Sequence, residues 1–197
     1  MSRDHRIPAA AAAMTVAVVL TACSGPAPLR DDDLEAGLLT PDALSGDWRA
    51  EEVDATRIGG GFCDLEALVR SSEPAAEAHV ALVEGETQLR HTLVAYEKGA
   101  AEQLVAIDER LRSCAADGEA AELGLTVQPL DEIGDDLISY RLRVEVASVP
   151  LQLDIAAWRQ DRVVSIARLT YPEDGLADPA ATLAEVVEQA RRRGRKA

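Results

Sequence analysis

Hydrophobic and polar residues alternate along two stretches in the carboxyl-terminal half of the chain. Residues 138–146 and residues 151–157 each carry an apolar side chain at every second position. Successive side chains of a β-strand point to opposite faces of a sheet, so this pattern predicts two half-buried strands. A third strand is predicted to follow them and to end near Thr170.

A β-hairpin is predicted earlier in the chain, where residues 78–84 and 87–96 have the composition of two strands joined by a short turn. Gly85 takes the first central position of that turn, which suits a two-residue hairpin connection. Counting back from the turn places His79 and His91 on opposite faces of the sheet. The two imidazoles are therefore not expected to share a metal ion, and no metal site is predicted.

Two helices are predicted from apolar residues that recur every three or four positions. The first covers residues 98–113, and its apolar stripe consists of Ala100, Leu104, Ile107, Leu111 and Cys114. The second begins with Asp178 as its N-cap and Pro179 as its first helical residue. Its buried face is predicted to contain Leu183, Val186, Val187 and Ala190.

The order of these elements indicates an α+β fold. An irregular or helical entry at residues 38–48 contains a helix-start signal at Thr40-Pro41-Asp42. Two strands, a helix, four strands (the first within residues 124–129) and a closing helix follow. Short connections favour antiparallel pairing, so we expect one antiparallel sheet of about five to six strands with two or three helices packed on it.

The overall charge argues against one class of partner. The chain of 197 residues combines 47% hydrophobic residues with a net charge of −15, which indicates a globular protein with an acidic surface. Such a surface repels phosphate backbones, so nucleic-acid binding is not expected. The basic segment 191–196 is either a solvated helix end that complements the helix dipole or an electrostatic contact with lipid or an acidic partner.

The amino terminus has the composition of an export signal. Arg3 and Arg6 precede an apolar run over residues 7–20, and Leu20-Thr21-Ala22-Cys23 resembles a bacterial lipobox. The run is shorter than the ~20 residues of a membrane-spanning helix, which favours cleavage over an uncleaved anchor. Residues 1–22 are thus predicted to be a lipoprotein signal peptide. Cys23 is predicted to be lipidated and to hold the protein at the extracytoplasmic face of the cell membrane.

A single extracytoplasmic domain is predicted over residues 38–197. Residues 23–37 precede it as a flexible tether, because prolines and three consecutive aspartates are unsuited to packing. With Cys23 lipidated, Cys63 and Cys114 remain as a pair in an oxidising compartment, which predicts a disulfide. A redox-active pair is the alternative, but the Cys-x-x-Cys spacing of such pairs is absent.

A candidate ligand site lies on the second face of the carboxyl-terminal strands. With tight loops at residues 149–150 and 160–161, Arg141 would lie opposite Trp158, and Arg143 would lie in the next row. An arginine can stack on a tryptophan, and small residues beside such a pair leave room for a ligand. The alternative is that a helix or the entry segment covers this face.

Together these features resemble the actinobacterial sensor-domain lipoproteins, a group similar to the extracellular PknH-like domain of receptor serine/threonine kinases. The resemblance spans about residues 38–193. It is carried by the lipobox, Trp48, the Cys63 and Cys114 pair around a strand-strand-helix unit, Gly134-Asp135 before a long strand, and the alanine-rich closing helix. It implies an α+β ligand-sensing module with a cleft and no established catalysis. Kinase-linked members carry a second disulfide, for which this chain has no further cysteines.

We therefore expect a lipid-anchored, non-catalytic extracytoplasmic protein that binds a small ligand or an envelope partner without a cofactor. The sequence contains no nucleophile elbow, zinc-protease motif or glycine-rich phosphate loop. Two alternatives stay open: a cell-envelope hydrolase with a site of dispersed carboxylates, and a module that uses only protein–protein contacts. Convergent carboxylates would favour the first, and a flat surface would favour the second.

Overall fold

A single antiparallel sheet organises the part of the chain that the computed structural model describes, namely residues 29–52, 62–114, 116, 124–130, 137–146 and 148–195. Its strands are β1 (Arg49–Glu51), β2 (Ala76–Glu84), β3 (Thr87–Ala95), β4 (Thr126–Pro129), β5 (Ile138–Val146), β6 (Val149–Gln160) and β7 (Val163–Pro172). Their spatial order is β1-β2-β3-β7-β6-β5-β4, and all neighbouring strands are antiparallel. The predicted α+β class is confirmed.

The sheet has seven strands, whereas the sequence predicts five to six. The additional strand is β1, three exposed residues at the edge of the sheet that pair with β2. Strand predictions from sequence depend on alternating apolar side chains, which signal burial of one face. An exposed three-residue strand carries no such signal, and backbone pairing alone identifies it.

Four α-helices lie within the described residues. They are α1 (Asp31–Glu35), α2 (Leu65–Ser71), α3 (Ala100–Cys114) and α4 (Pro179–Gly194), with short 3-10 helices at Pro41–Ala43 and Phe62–Asp64. Helices α3 and α4 and the turn after Thr40 are predicted from the sequence. Helices α1 and α2 are unpredicted, because each is too short to display a clear helical period.

The helices divide between the two faces of the sheet. On one face, called the α3 face, α2 and α3 cover strand residues such as Val94, Ile155 and Val164. On the other, called the α4 face, α4 and the entry segment cover strand residues such as Leu82 and Leu169. Helix α1 packs on the same side, against β2 and β3. Each face therefore has its own hydrophobic layer.

Helix α4 is built as the sequence predicts. The Asp178 side chain accepts a hydrogen bond from the backbone N–H of Ala181 at 3.0 Å, and Pro179 occupies the first turn. The buried residues of α4 are Leu183, Val186, Val187 and Ala190, which is the predicted stripe. Burial of each larger aliphatic side chain stabilises the fold by about 1.5–3 kcal/mol, so this stripe fixes α4 on the sheet.

Helix α1 begins the folded domain earlier than the sequence predicts. Leu34 is only 3% exposed, and the Asp31 carboxylate accepts a hydrogen bond from the backbone N–H of Glu77 at 3.0 Å. The consecutive aspartates occupy the first turn of α1, where negative charge is favourable. The prediction of a flexible tether through residue 37 is therefore wrong from Asp31 onward, because these aspartates start a helix.

Several sequence predictions concern residues outside the described ranges. These are the signal peptide at residues 1–22, the lipidated Cys23, the start of the tether and Gly134-Asp135. In the described ranges, no helix is both long enough and apolar enough to cross a membrane.

Candidate functional site

The pairing of β5, β6 and β7 differs from the predicted pairing. Arg141 lies opposite Asp154 of β6, and Trp158 lies opposite Ser165 of β7. The predicted contact between Arg141 and Trp158 is therefore wrong. Both strand pairs are shifted by an even number of residues, so each side chain still points to the predicted face.

The β5–β6 turn lies earlier in the chain than predicted. Val146 pairs with Val149, so Pro150 belongs to strand β6 instead of the loop. Ser148 has a φ of 64°, a left-handed conformation that tight turns require. A proline suggests a loop because it lacks an N–H donor, but the exposed end of a strand also accommodates it.

Asp154 is the centre of a buried hydrogen-bond network on the α4 face. The Nε and Nη2 atoms of Arg141 donate to its two carboxylate oxygens at 2.7 Å each, and the Tyr171 hydroxyl donates at 2.9 Å. Asp154 has no exposed surface. Burial, and then the Asp154 charge, raise the pKa of Tyr171 above its usual range. Arg141 and Asp154 thus form a structural ion pair, and the Nε and Nη2 donors of the Arg141 guanidinium are used within it.

Trp158 lies in the core. It has no exposed surface, and its ring stacks on His91 with centroids 6.1 Å apart and planes 10° apart. His91 Nδ1 accepts a hydrogen bond from the backbone N–H of Leu39 at 3.3 Å, which joins the entry segment to the sheet. Leu39 and Leu183 belong to the same hydrophobic cluster as Trp158. The alternative interpretation, that a helix and the entry segment cover this face, is confirmed at Trp158.

Arg143 is an exposed residue farther along β5. It lines an open hollow of about 280 Å³ together with Gln152, Glu145 and Glu173, so carboxylates outnumber its positive charge there. The structure therefore separates the three predicted ligand residues. Arg143 is at the surface, Arg141 is paired with the buried Asp154 carboxylate, and Trp158 is in the core. A ligand role for Arg141, Arg143 and Trp158 stays a prediction.

The disulfide between Cys63 and Cys114, predicted from the sequence, is present. Cys63 precedes α2 and Cys114 ends α3, and their Cα atoms are 5.1 Å apart. The carbonyl oxygen of Cys63 also accepts a hydrogen bond from Arg110 Nε at 2.7 Å. These two connections fix the start of α2 against α3.

A cleft opens on the α3 face between α2 and the sheet, and we call it the α2 cleft. Its volume is about 80 Å³, and its walls combine hydrophobic and polar side chains. The lining residues are Leu65, Val69, Glu77, Arg90, Thr92, Ile155, Ile166 and Arg168. Leu65 and Val69 belong to α2, so the helix held by the disulfide forms the outer wall.

Two arginines lie side by side in this cleft. Arg90 of β3 is directly opposite Arg168 of β7, and both side chains are half-buried. Thr92 and Ile166 form the next row on the same face. Arg90, Arg168 and Thr92 thus line the cleft beside the hydrophobic residues of α2.

The sequence does not reveal this arginine pair. Alternation predicts that Arg90 points to the other face of the sheet from its neighbours Leu89 and His91. The strand that pairs with β3 on this side, β7, is distant in the chain. Hairpin turns define the register of adjacent strands only, and no turn joins β3 to β7. The available sequence signal was Arg90 itself, a charged residue in the middle of a strand whose other side chains are largely buried.

The histidines face as the hairpin turn predicts. His79 lies opposite Thr92 and is exposed, while His91 lies opposite Val80 and is buried on the α4 face. Burial, and secondarily the charge of Arg193, lower the pKa of His91 to about 3. Over the residues that the structure describes, no three His, Cys, Asp or Glu side chains come together as metal ligands.

Comparison with known proteins identifies a shared fold. No protein-family model matches the chain, and no curated protein matches it. Among solved structures, the chain is similar to the extracellular domain of PknH from Mycobacterium tuberculosis, with a TM-score of 0.59 at 14% sequence identity. The match covers 85% of this chain and 100% of the PknH domain. The chain therefore has the α+β fold of the PknH extracellular domain.

Proposed function

We propose that this protein is a lipid-anchored, extracytoplasmic domain that binds a small ligand in the α2 cleft and performs no chemistry on it. The cleft itself carries this proposal. A hydrophobic wall with a few polar groups is the usual composition of a small-molecule site. Arg90, Arg168 and Thr92 line the cleft, where their polar groups would bind and orient a ligand.

The size of the cleft favours a small molecule over an envelope protein. A stable protein interface covers about 800 Å² on each partner, as an extended and complementary surface. The α2 cleft is a narrow recess of about 80 Å³ between one short helix and the sheet. A compact ligand would contact α2 and the arginine pair at the same time.

Two observations support a location outside the cytoplasm. Structural disulfides persist in oxidising compartments, and this chain has one between Cys63 and Cys114. A solved structure that shares its fold is an extracellular domain. The lipobox-like segment ending at Cys23 would supply the anchor. Since α1 begins at Asp31, the seven residues 24–30 could span at most about 25 Å between membrane and domain.

The anchor is tested by mass spectrometry of the protein isolated from membranes. The expected amino-terminal peptide begins at Cys23 and carries a diacylglyceryl thioether, and Cys23→Ser is expected to abolish this modification. A full-length, unmodified chain in the cytosol would contradict the proposed location.

The cleft is tested by a thermal-stabilisation screen of small anions, cations and neutral compounds against the protein isolated from membranes. Thr92→Trp should fill the cleft and abolish the stabilisation. The matched control is Thr126→Trp, at an exposed position that lines the hollow beside Arg143. Stabilisation that survives Thr92→Trp, or that is lost only in Thr126→Trp, would place the ligand elsewhere and contradict the proposal.

A further inference from the structure

We infer that the ligand of the α2 cleft is a small neutral molecule with an aliphatic body and one polar group, and that the hydrophobic wall of the cleft selects it. This inference rests on the proposed function of the cleft and adds the chemical class of the ligand. The aliphatic body would pack between Leu65 of α2 and Ile166 of β7, and the polar group would bind beside Thr92.

The hydrophobic wall comes from three separate elements. Leu65 and Val69 belong to α2, Ile155 belongs to β6 and Ile166 belongs to β7. Val69 and Ile155 are 5% and 1% exposed, whereas Leu65 and Ile166 are only half-buried and pack against the same core cluster. The hydrophobic surface that is still open to water in the cleft therefore comes from Leu65 and Ile166. A ligand that covers both side chains removes this surface from water, which favours binding.

The charged residues of the cleft do not favour an ionic ligand. Arg90 and Arg168 each already have an interaction partner within the protein, and Glu77 lines the same cleft. A ligand anion would compete with those partners and meet the Glu77 carboxylate, while a cation would meet the two guanidinium groups. Either ion would also give up part of its hydration shell, which costs more than the transfer of a neutral polar group.

The neutral polar group has a binding position at the centre of the cleft. Thr92 lies opposite Ile166 of β7, and Arg168 lies opposite Ile155 of β6. Hydrogen-bonding side chains thus lie directly beside hydrophobic ones on this part of the sheet. A threonine hydroxyl both donates and accepts, so a single hydroxyl group of a ligand can bind it in either direction. This arrangement suits a ligand with one polar end and an aliphatic remainder.

The volume of the cleft limits the length of the ligand. One water needs about 10–15 Å³ of such space, so a cleft of about 80 Å³ corresponds to roughly five to eight waters. A methylene group is similar in size to a water molecule, so the ligand has about five to eight non-hydrogen atoms. The primary alcohols from butan-1-ol to heptan-1-ol have this size and composition.

The experiment uses the protein isolated from membranes and placed in phosphatidylcholine nanodiscs, with empty nanodiscs as the blank. Thermal unfolding is followed by circular dichroism with hexan-1-ol, hexanoate, hexylamine or hexane-1,6-diol at equal free concentration and equal ionic strength. Hexan-1-ol is expected to raise the Tm, and the two ions and the diol are expected to leave it unchanged. The diol differs from hexan-1-ol only by a second hydroxyl group, which would face the hydrophobic wall.

The chain length of the alcohol gives a second readout. Affinity should rise about fourfold for each methylene added from butan-1-ol to heptan-1-ol, because each added methylene is buried against the wall. It should then stop rising, since longer chains extend out of the cleft into water. A rise that continues to decan-1-ol would show binding without the size limit of the cleft and would contradict the inference.

Two leucines of α2 form a matched pair that locates the aliphatic body. Among the described residues, Leu65 lines the cleft and Leu68 does not, although both are half-buried residues of the same helix. Leu65→Gln should weaken hexan-1-ol binding by about tenfold, because it removes hydrophobic contact with the ligand. Leu65→Met keeps a hydrophobic side chain of similar volume and should bind nearly as the wild type does. The control Leu68→Gln should also keep wild-type binding.

The outcomes separate this inference from the proposed function. Stabilisation by hexanoate, hexylamine or the diol that equals that by hexan-1-ol would overturn the neutral-ligand inference. So would unchanged hexan-1-ol binding in Leu65→Gln, or the absence of any effect of the alcohols. In each of these cases the proposed function still stands if Thr92→Trp abolishes stabilisation by another compound from the screen. If stabilisation by hexan-1-ol survives Thr92→Trp, both the inference and the proposed function fail.

Discussion

Arg141 lies directly opposite Asp154, and its guanidinium donates to both carboxylate oxygens at 2.7 Å. Asp154 has no exposed surface, and the Tyr171 hydroxyl supplies a third hydrogen bond. Hydrogen bonding to Asp154 raises the pKa of Arg141, so the guanidinium is stabilised in its charged form. This pair belongs to the core of the α4 face, so the Arg141 guanidinium is used within the fold.

Asp154→Asn is expected to destabilise the fold by about 3 kcal/mol, because loss of one partner leaves the other charge uncompensated in a buried pair. Urea unfolding monitored by circular dichroism measures this change. The control is Asp174→Asn, an exposed position where a change within about 0.5 kcal/mol is expected. Equal stability of Asp154→Asn and the wild type would show that the ion pair does not support the core.

Acidification is expected to destabilise the protein through His91. Burial first, and the positive charge of Arg193 second, lower the pKa of His91 from 6.5 to about 3. The unfolded chain therefore binds a proton near pH 6.5, while the folded chain excludes it until about pH 3. The stabilisation from neutral His91 is complete above pH 6.5 and is lost as the pH falls toward 3. Between these two pH values, the contribution of His91 to the free energy of unfolding falls by about 1.4 kcal/mol for each pH unit.

The variant His91→Phe isolates this contribution. Phenylalanine can stack on Trp158 but cannot bind a proton, so the pH slope of its unfolding free energy should be smaller than that of the wild type between pH 6 and 4. Carboxylates titrate in the same range, so the informative quantity is the difference between the two slopes. His79→Gln, at an exposed position, is the control and should keep the wild-type slope.

Loss of the disulfide is expected to destabilise the domain by about 4 kcal/mol, on the chain-entropy account. Cys63 and Cys114 are 51 residues apart, so the bond closes a long loop in the unfolded chain. The double variant Cys63→Ala/Cys114→Ala should show this loss in urea unfolding. A reducing agent should lower the stability of the wild type and leave the double variant unchanged. A reductant effect of the same size in both would contradict this account.

Leu34→Ala is expected to cost about 2–3 kcal/mol, since deletion of a buried leucine side chain leaves a cavity. Leu34 is 3% exposed and packs with Ala78 and Leu93. The neighbouring Glu35 is exposed, so Glu35→Ala should have little effect. If both variants unfold at the wild-type urea concentration, α1 is not part of the folded domain.

The sequence predicts those elements whose signals are local. The Gly85 turn fixes the register of β2 and β3, and it places His79 and His91 on their observed faces. Asp178 and Pro179 predict the start of α4, because an N-cap acceptor and a first-turn proline act within one helical turn. The apolar period of α3 places Cys114 on the buried side, where the disulfide forms.

The remainder depends on contacts that the sequence does not display. Alternation predicts which face of the sheet a side chain points to, but it does not predict the residue opposite it on the next strand. The predicted Arg141–Trp158 contact is therefore wrong, although both residues point to the predicted face. The three aspartates before Leu34 have the composition of a linker. They form the first turn of a helix whose buried residue is Leu34. Arg90 and Arg168 meet only because β3 and β7 pair across the sheet, so the candidate site is a product of topology.

A crystal structure of the protein with the first compound that stabilises it tests the central claim most directly. The account predicts electron density for the ligand on the α3 face, in the α2 cleft between α2 and the strands, in contact with Thr92. Ligand density on the α4 face beside Arg141, or in the hollow beside Arg143, with the α2 cleft empty, would contradict it.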